Sequence, residues 1–204
     1  MKDKRVLVAT TNPNKVREMH HVLAPLGYQV QGLDELGVDL PEPVEDAPTF
    51  EGNARIKALA YARALGTACV AEDSGLEVSA LGGAPGVHSA RYSETDGPRE
   101  VRDRANNEKL LRELARADGT DRSARFVCAL CLVDADGDVR FETRGTFEGV
   151  IGEAPRGTGG FGYDPLLYVP ALGKSSAELT PEQKNQLSHR GAATRALAAF
   201  LTRS

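Results

Sequence analysis

The chain has 204 residues, 41% of them hydrophobic, which is enough to bury one substantial core; a single globular unit is expected, although two closely packed lobes also fit that length. A formal net charge of −4, with no long Lys/Arg run, excludes a protein that tracks nucleic-acid backbone but leaves room for a small anionic substrate. The apolar run in "MKDKRVLVAT" is too short for a signal-peptide core and no segment reaches membrane-spanning length, so the expectation is a cytoplasmic protein with neither a nucleic-acid nor a membrane partner.

In chain order, "RVLVA" reads as a strand and "TTNPNK" as a turn-rich loop that enters an amphipathic helix, "KVREMHHVLAPL", closed near Gly27. After the loop "DLPEPVEDAP", Thr49 caps a second helix, "FEGNARIKALAYARAL", stopped by Gly66, and "ACVAE" is the next strand. Two acids, Glu72 and Asp73, follow at its end, and Ser74-Gly75 predicts a turn there. A third helix occupies "PREVRDRANNEKLLRELARA". "ARFVCALCLVDA" and "DVRFETRGTFEGV" form a hairpin around Asp136-Gly137. Cys128 and Cys131 are three apart on the first of these strands and face opposite sides, so with Cys69 they read as buried thiols, not as a metal or disulfide pair. "LLYV" is a short strand. Thr180, Pro181 and Gln183 match a capping box for a C-terminal helical region, with Ser188 a second N-cap. The alternation implies an α/β protein with a mixed sheet, parallel early and antiparallel late, whose chemistry lies at strand ends.

Several residue groups could carry that chemistry. Thr10, Thr11, Asn12 and Lys15 surround a helix start, where free N–H groups and the helix dipole favour an anion; the ordinary alternative is a simple helix cap. Lys57 reads alone as a solvated helix-face lysine. "GTGGFG" has the spacing of a dinucleotide fingerprint, yet a strand and not a helix follows it, so that reading fails. The loop instead offers Phe161 between glycines and Asp164 three residues on, suited to stacking a planar base and holding its edge. Lys184, His189 and Arg190 gather cationic donors near a junction of two helical segments.

"TTNPNK", "TFEGNARIKA", "AEDSGL", "LGGAPGVHSARY", "GTGGFGYDP" and "SHRG", in this order, resemble the inosine triphosphate pyrophosphatase family along nearly the whole chain. The resemblance implies an elongated α/β fold of two lobes around a long mixed sheet flanked by helices, with residues 1–204 forming one catalytic domain and the active site in the cleft. It also implies a homodimer, and Mg²⁺-dependent cleavage of ITP, dITP or XTP to the monophosphate and pyrophosphate. By matching motif, Thr10, Thr11, Asn12, Pro13, Asn14 and Lys15 would hold phosphates, Lys57 would neutralise them, and Ser74 would touch the substrate. Asp73 would activate water and bind Mg²⁺ with Glu45 and Glu72. Phe161, Gly162, Tyr163, Asp164, Lys184, His189 and Arg190 would form the base pocket. Two positions depart from the family pattern: Asn14 replaces a frequent glycine, in a place expected to need a left-handed backbone, and Glu72 replaces a frequent aspartate. Other readings are a pyrophosphatase for methylated or otherwise modified nucleotides, and a nucleotide-binding module without chemistry.

Overall fold

The computed structural model describes residues 4–37, 40–117 and 121–203. The first residue of the "DLPEPVEDAP" loop, Asp39, and the opening residues of "MKDKRVLVAT" lie outside these. The short apolar run becomes β1 (Arg5–Val8), paired in parallel with β2 (Gln29–Gly32) and with β3 (Cys69–Val78). β4 (Ser123–Val133) and β5 (Val139–Ile151) are hydrogen-bonded neighbours. Only five residues separate them, too few for a parallel crossover, so they form the expected hairpin. β6 (Leu167–Val169) and β7 (Lys174–Ser175) add antiparallel strands, and the sheet order is β2-β1-β3-β4-β5-β6-β7.

The helices are α1 (Pro13–Leu23), α2 (Phe50–Leu65), α3 (Arg99–Arg116), α4 (Pro181–Leu187) and α5 (His189–Arg203). Their ends follow local chemistry. Thr49 accepts the Gly52 N–H at 3.1 Å, and Gly66 closes α2 at φ 59°. Thr180 and Gln183 exchange reciprocal hydrogen bonds at 3.1 and 3.2 Å, and Ser188 accepts the Gly191 N–H at 3.1 Å.

The chain divides into two compact units. The first comprises Met1–Asp73, Cys128–Gly145 and Asn185–Ser204; the second comprises Ser74–Val127 and Thr146–Lys184. In the first, Met19 and Leu23 of α1 and Leu197 of α5 pack with Val8, Val70 and Leu130 on one sheet face. Each such fully buried side chain contributes about 1.5–3 kcal/mol of transfer free energy. In the second, Leu110 and Leu114 of α3 pack with Leu76, Phe126 and Ile151.

Two expectations are corrected. No turn forms at Ser74-Gly75, because β3 continues for ten residues through it. Beyond the glycine, Leu76 and Val78 resume the strand alternation, are fully buried, and anchor the extension in the second core, so tertiary packing overrides the local turn signal. Asn14 needs no left-handed backbone, since Pro13 already begins α1 and places Asn14 inside it; Glu94 is the only non-glycine with positive φ among the described residues.

Candidate active site

At the C-terminal end of β1, the loop closes on itself before entering α1. Thr10 Oγ1 accepts the Asn12 N–H and Asn12 Oδ1 accepts the Asn14 N–H, both at 3.1 Å. Thr11 and Pro13 are exposed beside this cap. The hydroxyl and amide are therefore engaged in holding the helix start. The next side chain, Lys15, reaches β3, with Nζ 2.7 Å from Glu72 Oε1.

Glu72 is the hub of a buried network. Arg190 Nε and Nη2 lie 2.9 and 3.3 Å from its two oxygens, and the Cys128 thiol donates to it at 2.8 Å. Arg190 Nη1 also meets Glu18 at 2.6 Å. Burial alone would raise the Glu72 pKa, but the guanidinium of Arg190 and the ammonium of Lys15 outweigh it and hold the carboxyl well below the usual range. The Cys128 thiol is pushed well above its ordinary value by burial and by Glu72. Cys131, pushed to about 12 by burial, feels Arg55 of α2 and Glu142 instead, so the two cysteines do face opposite sides of β4.

One residue along β3, Asp73 meets different surroundings. Asn53 Nδ2 of α2 donates to Asp73 Oδ2 at 3.0 Å. Lys57, one turn further along α2, places Nζ 2.9 Å from Glu45 Oε2 and 3.2 Å from the Glu72 carbonyl oxygen. Burial raises the Asp73 pKa and the Glu45 charge adds to that, while Asn53, Lys57 and Lys15 pull it back. Ser74 follows directly in β3 and is partly buried.

Among the described residues no group of three or more His, Cys, Asp or Glu is arranged to hold a metal ion. The pair Glu45 and Asp73 nevertheless fits a hard divalent cation. Both offer carboxylate oxygens, and the Glu45 charge disfavours ionisation of Asp73, which a bound cation would offset. Glu72 has its charge compensated by Lys15 and Arg190.

The second unit presents the glycine-rich loop. Asp164 is almost fully buried and anchors it: Oδ2 accepts the Phe161 N–H at 2.7 Å and lies 2.5 Å from Lys184 Nζ, and Oδ1 accepts the Ser176 hydroxyl at 2.7 Å. Gly160, at φ +72°, makes room for this carboxylate, since a Cβ there would sit 2.0 Å from Oδ2. Gly162 is held from α3, its N–H by Asp103 at 2.9 Å and its carbonyl by Asn107 at 3.0 Å. Tyr163 is buried and donates to the Ser89 carbonyl at 2.9 Å. The Phe161 ring lies 4.4 Å from the Arg99 guanidinium and 5.4 Å from Lys184 Nζ.

The sequence-predicted residues thus fall into two groups. Lys15, Glu45, Lys57, Glu72, Asp73, His189 and Arg190 belong to the first unit, and Phe161, Gly162, Tyr163, Asp164 and Lys184 to the second. His189 is largely buried at the start of α5. Sequence reasoning passed over Glu18, Asn53, Arg99, Asp103, Asn107 and Ser176. Glu18 had a signal, because three residues after Lys15 it lies on the same face of α1.

A mixed seven-stranded α/β sheet, with carboxylates and ammonium groups gathered at the middle of β3, defines a protein suited to a polyanionic ligand. The chain belongs to the Ham1 family, which it matches over residues 6–200. It is 50% identical to a dITP/XTP pyrophosphatase of Exiguobacterium sp., over 96% of this chain and 95% of that one. It is 49% identical to a dITP/XTP pyrophosphatase of Thermus thermophilus, over 97% and 91%. Its fold matches the structure of a HAM1 protein from Coxiella burnetii, with a TM-score of 0.88, 38% identity and coverage of 98% and 99%. The Staphylococcus aureus Ham1 protein gives 0.84, 42%, 98% and 99%.

Proposed function

We propose that this protein hydrolyses the nonstandard purine nucleoside triphosphates dITP, ITP and XTP to the monophosphate and pyrophosphate. The observation that carries this reading is the pair of ammonium groups, Lys15 and Lys57, set against Glu45, Glu72 and Asp73 on neighbouring residues of one strand and one loop. A triphosphate needs cations on its oxygens, and water attacking the α-phosphorus needs a carboxylate to take its proton. Lys15, at the start of α1, binds phosphate oxygens. Lys57 neutralises them from α2. Asp73, whose pKa is raised by burial, is the group that accepts the proton from water. Mg²⁺, held by Asp73 and Glu45, would supply charge neutralisation on the reacting phosphate oxygens. The base stacks against Phe161, and Lys184, 5.4 Å from that ring, offers a donor to a 6-oxo edge, whereas adenine presents a donor of its own there and leaves that donor unmatched.

Arg190 holds Glu72 and Glu18 through Nε, Nη1 and Nη2, and because a guanidinium carries five N–H donors this pairing is compatible with a donor role at the base. A homodimeric, cytoplasmic enzyme completes the proposal; no helix among the described residues is long and apolar enough to cross a membrane. The test is turnover of a nucleotide panel with Mg²⁺. Equimolar monophosphate and pyrophosphate from ITP, dITP and XTP, with ATP at least tenfold poorer in kcat/KM, is expected; no pyrophosphate from any of the three contradicts the reading.

A further inference from the structure

Residues 51–53, "EGN", lie in the first turn of α2, and two of them do something a helix has no need of. Asn53 is 2% exposed, and both ends of its amide are used. Oδ1 accepts the Ala47 N–H at 2.9 Å and Nδ2 donates to Asp73 Oδ2 at 3.0 Å. Ala47 belongs to the loop that carries Glu45, two residues earlier. Gly52 lets that loop press against the helix, because a Cβ at this position would stand 2.5 Å from the Ala47 Cβ. Four residues on, and so on the same helix face, Lys57 holds Glu45 itself at 2.9 Å. One face of α2 therefore fixes both Asp73 and the Glu45 loop. Only an amide joins them in this way: the position needs one acceptor and one donor, whereas an aspartate would bring no donor and a leucine would bring neither group.

Two carboxylates that repel one another do not stay close unaided, and a site that must bind a hard cation gains from having them already in place. We propose that Asn53 is a positioning residue that fixes Glu45 and Asp73 relative to one another for divalent-cation binding. The proposal rests on the functional reading above, in which those two carboxylates take Mg²⁺.

The experiment measures Mn²⁺ binding by electron paramagnetic resonance, without nucleotide, for the wild type, Asn53→Ala and the near-isosteric Asn53→Leu. Thermal melting and circular dichroism establish that each variant is folded, and ITP turnover is followed in parallel as a function of Mg²⁺ concentration. Both variants are expected to bind Mn²⁺ about 10- to 100-fold more weakly. Their ITP turnover is expected to recover as Mg²⁺ is raised, a rescue that general damage to the fold would not give. Unchanged Mn²⁺ affinity in either folded variant overturns the proposal. A wild type that binds Mn²⁺ but leaves ITP intact overturns the functional reading and leaves the variants' Mn²⁺ affinities to decide this one. A wild type that binds no Mn²⁺ overturns the proposal together with the Mg²⁺ part of the functional reading.

Discussion

On the α1/α5 face of β3, Glu72 is a fully buried carboxylate enclosed by Arg190, Lys15 and a cysteine thiol, and its charge is stabilised so strongly that its pKa falls well below the ordinary range. On the α2 face, one residue along, Asp73 receives the Asn53 amide, has Glu45 for a neighbour, and its pKa moves up. Successive strand residues point to opposite faces, so two adjacent acids in one motif can be given opposite electrostatic fates. The first arrangement favours a permanent charge that organises Lys15. The second favours a carboxylate disposed to take up a cation or a proton, which is what a hydrolytic site requires and what stability alone would select against.

The comparison breaks most visibly under Asp73→Asn. Turnover of ITP is expected to fall about 1,000-fold or more, read as kcat on a protein shown to be folded, because the amide keeps the shape and loses the charge. The matching change on the other face, Glu72→Gln, is expected to act on stability. It removes the Glu72 charge from the buried Arg190 guanidinium, which still meets Glu18, at a cost of about 3 kcal/mol by denaturant unfolding. Lys15→Ala and Lys57→Ala are expected to lower kcat/KM about 10- to 100-fold, by the same factor for ITP, XTP and ATP, since they meet phosphates and not bases. A change in preference among bases would remove Lys15 from the phosphate side.

The smallest effect sharpens the contrast through pH. Glu72 has a depressed folded-state pKa, so its contribution is fully present above its unfolded value of about 4.3 and is lost as pH falls below that. Asp73 has a raised one, so its ionised form costs stability at neutral pH and the cost is relieved on acidification through its folded pKa. In metal-free protein at pH 7, Asp73→Asn is therefore expected to raise the thermal midpoint while Glu72→Gln lowers it. A fall in both midpoints would mean that the two faces do not differ as described.

What was legible in the sequence was local. Thr49 and Gly66 set the ends of α2, and Thr180 with Gln183 the start of α4, because a cap depends on residues within one turn. The motif strings marked Lys15, Lys57 and Asp73, and the structure places these around one stretch of β3. The partners of Glu72 were not legible, since Arg190 stands 118 residues away in the chain and pairs with Glu18 across 172. Asn53 looked like any polar residue on a helix until the loop beside it was seen. Ser74-Gly75 misled for the opposite reason, being a sound local turn signal that the burial of Leu76 and Val78 overrides. β2, QVQG, offers a single apolar side chain and β7 only two residues, so neither carries a pattern.

The central claim is that water, activated at Asp73, attacks the α-phosphorus of a nonstandard purine triphosphate. The measurement that tests it most directly is hydrolysis of ITP in ¹⁸O-labelled water, with mass analysis of both products. The account predicts the label in the nucleoside monophosphate, unlabelled pyrophosphate, and neither product above background with Asp73→Asn. Label in the pyrophosphate, release of inorganic phosphate with nucleoside diphosphate, or undiminished turnover by the folded variant would contradict it.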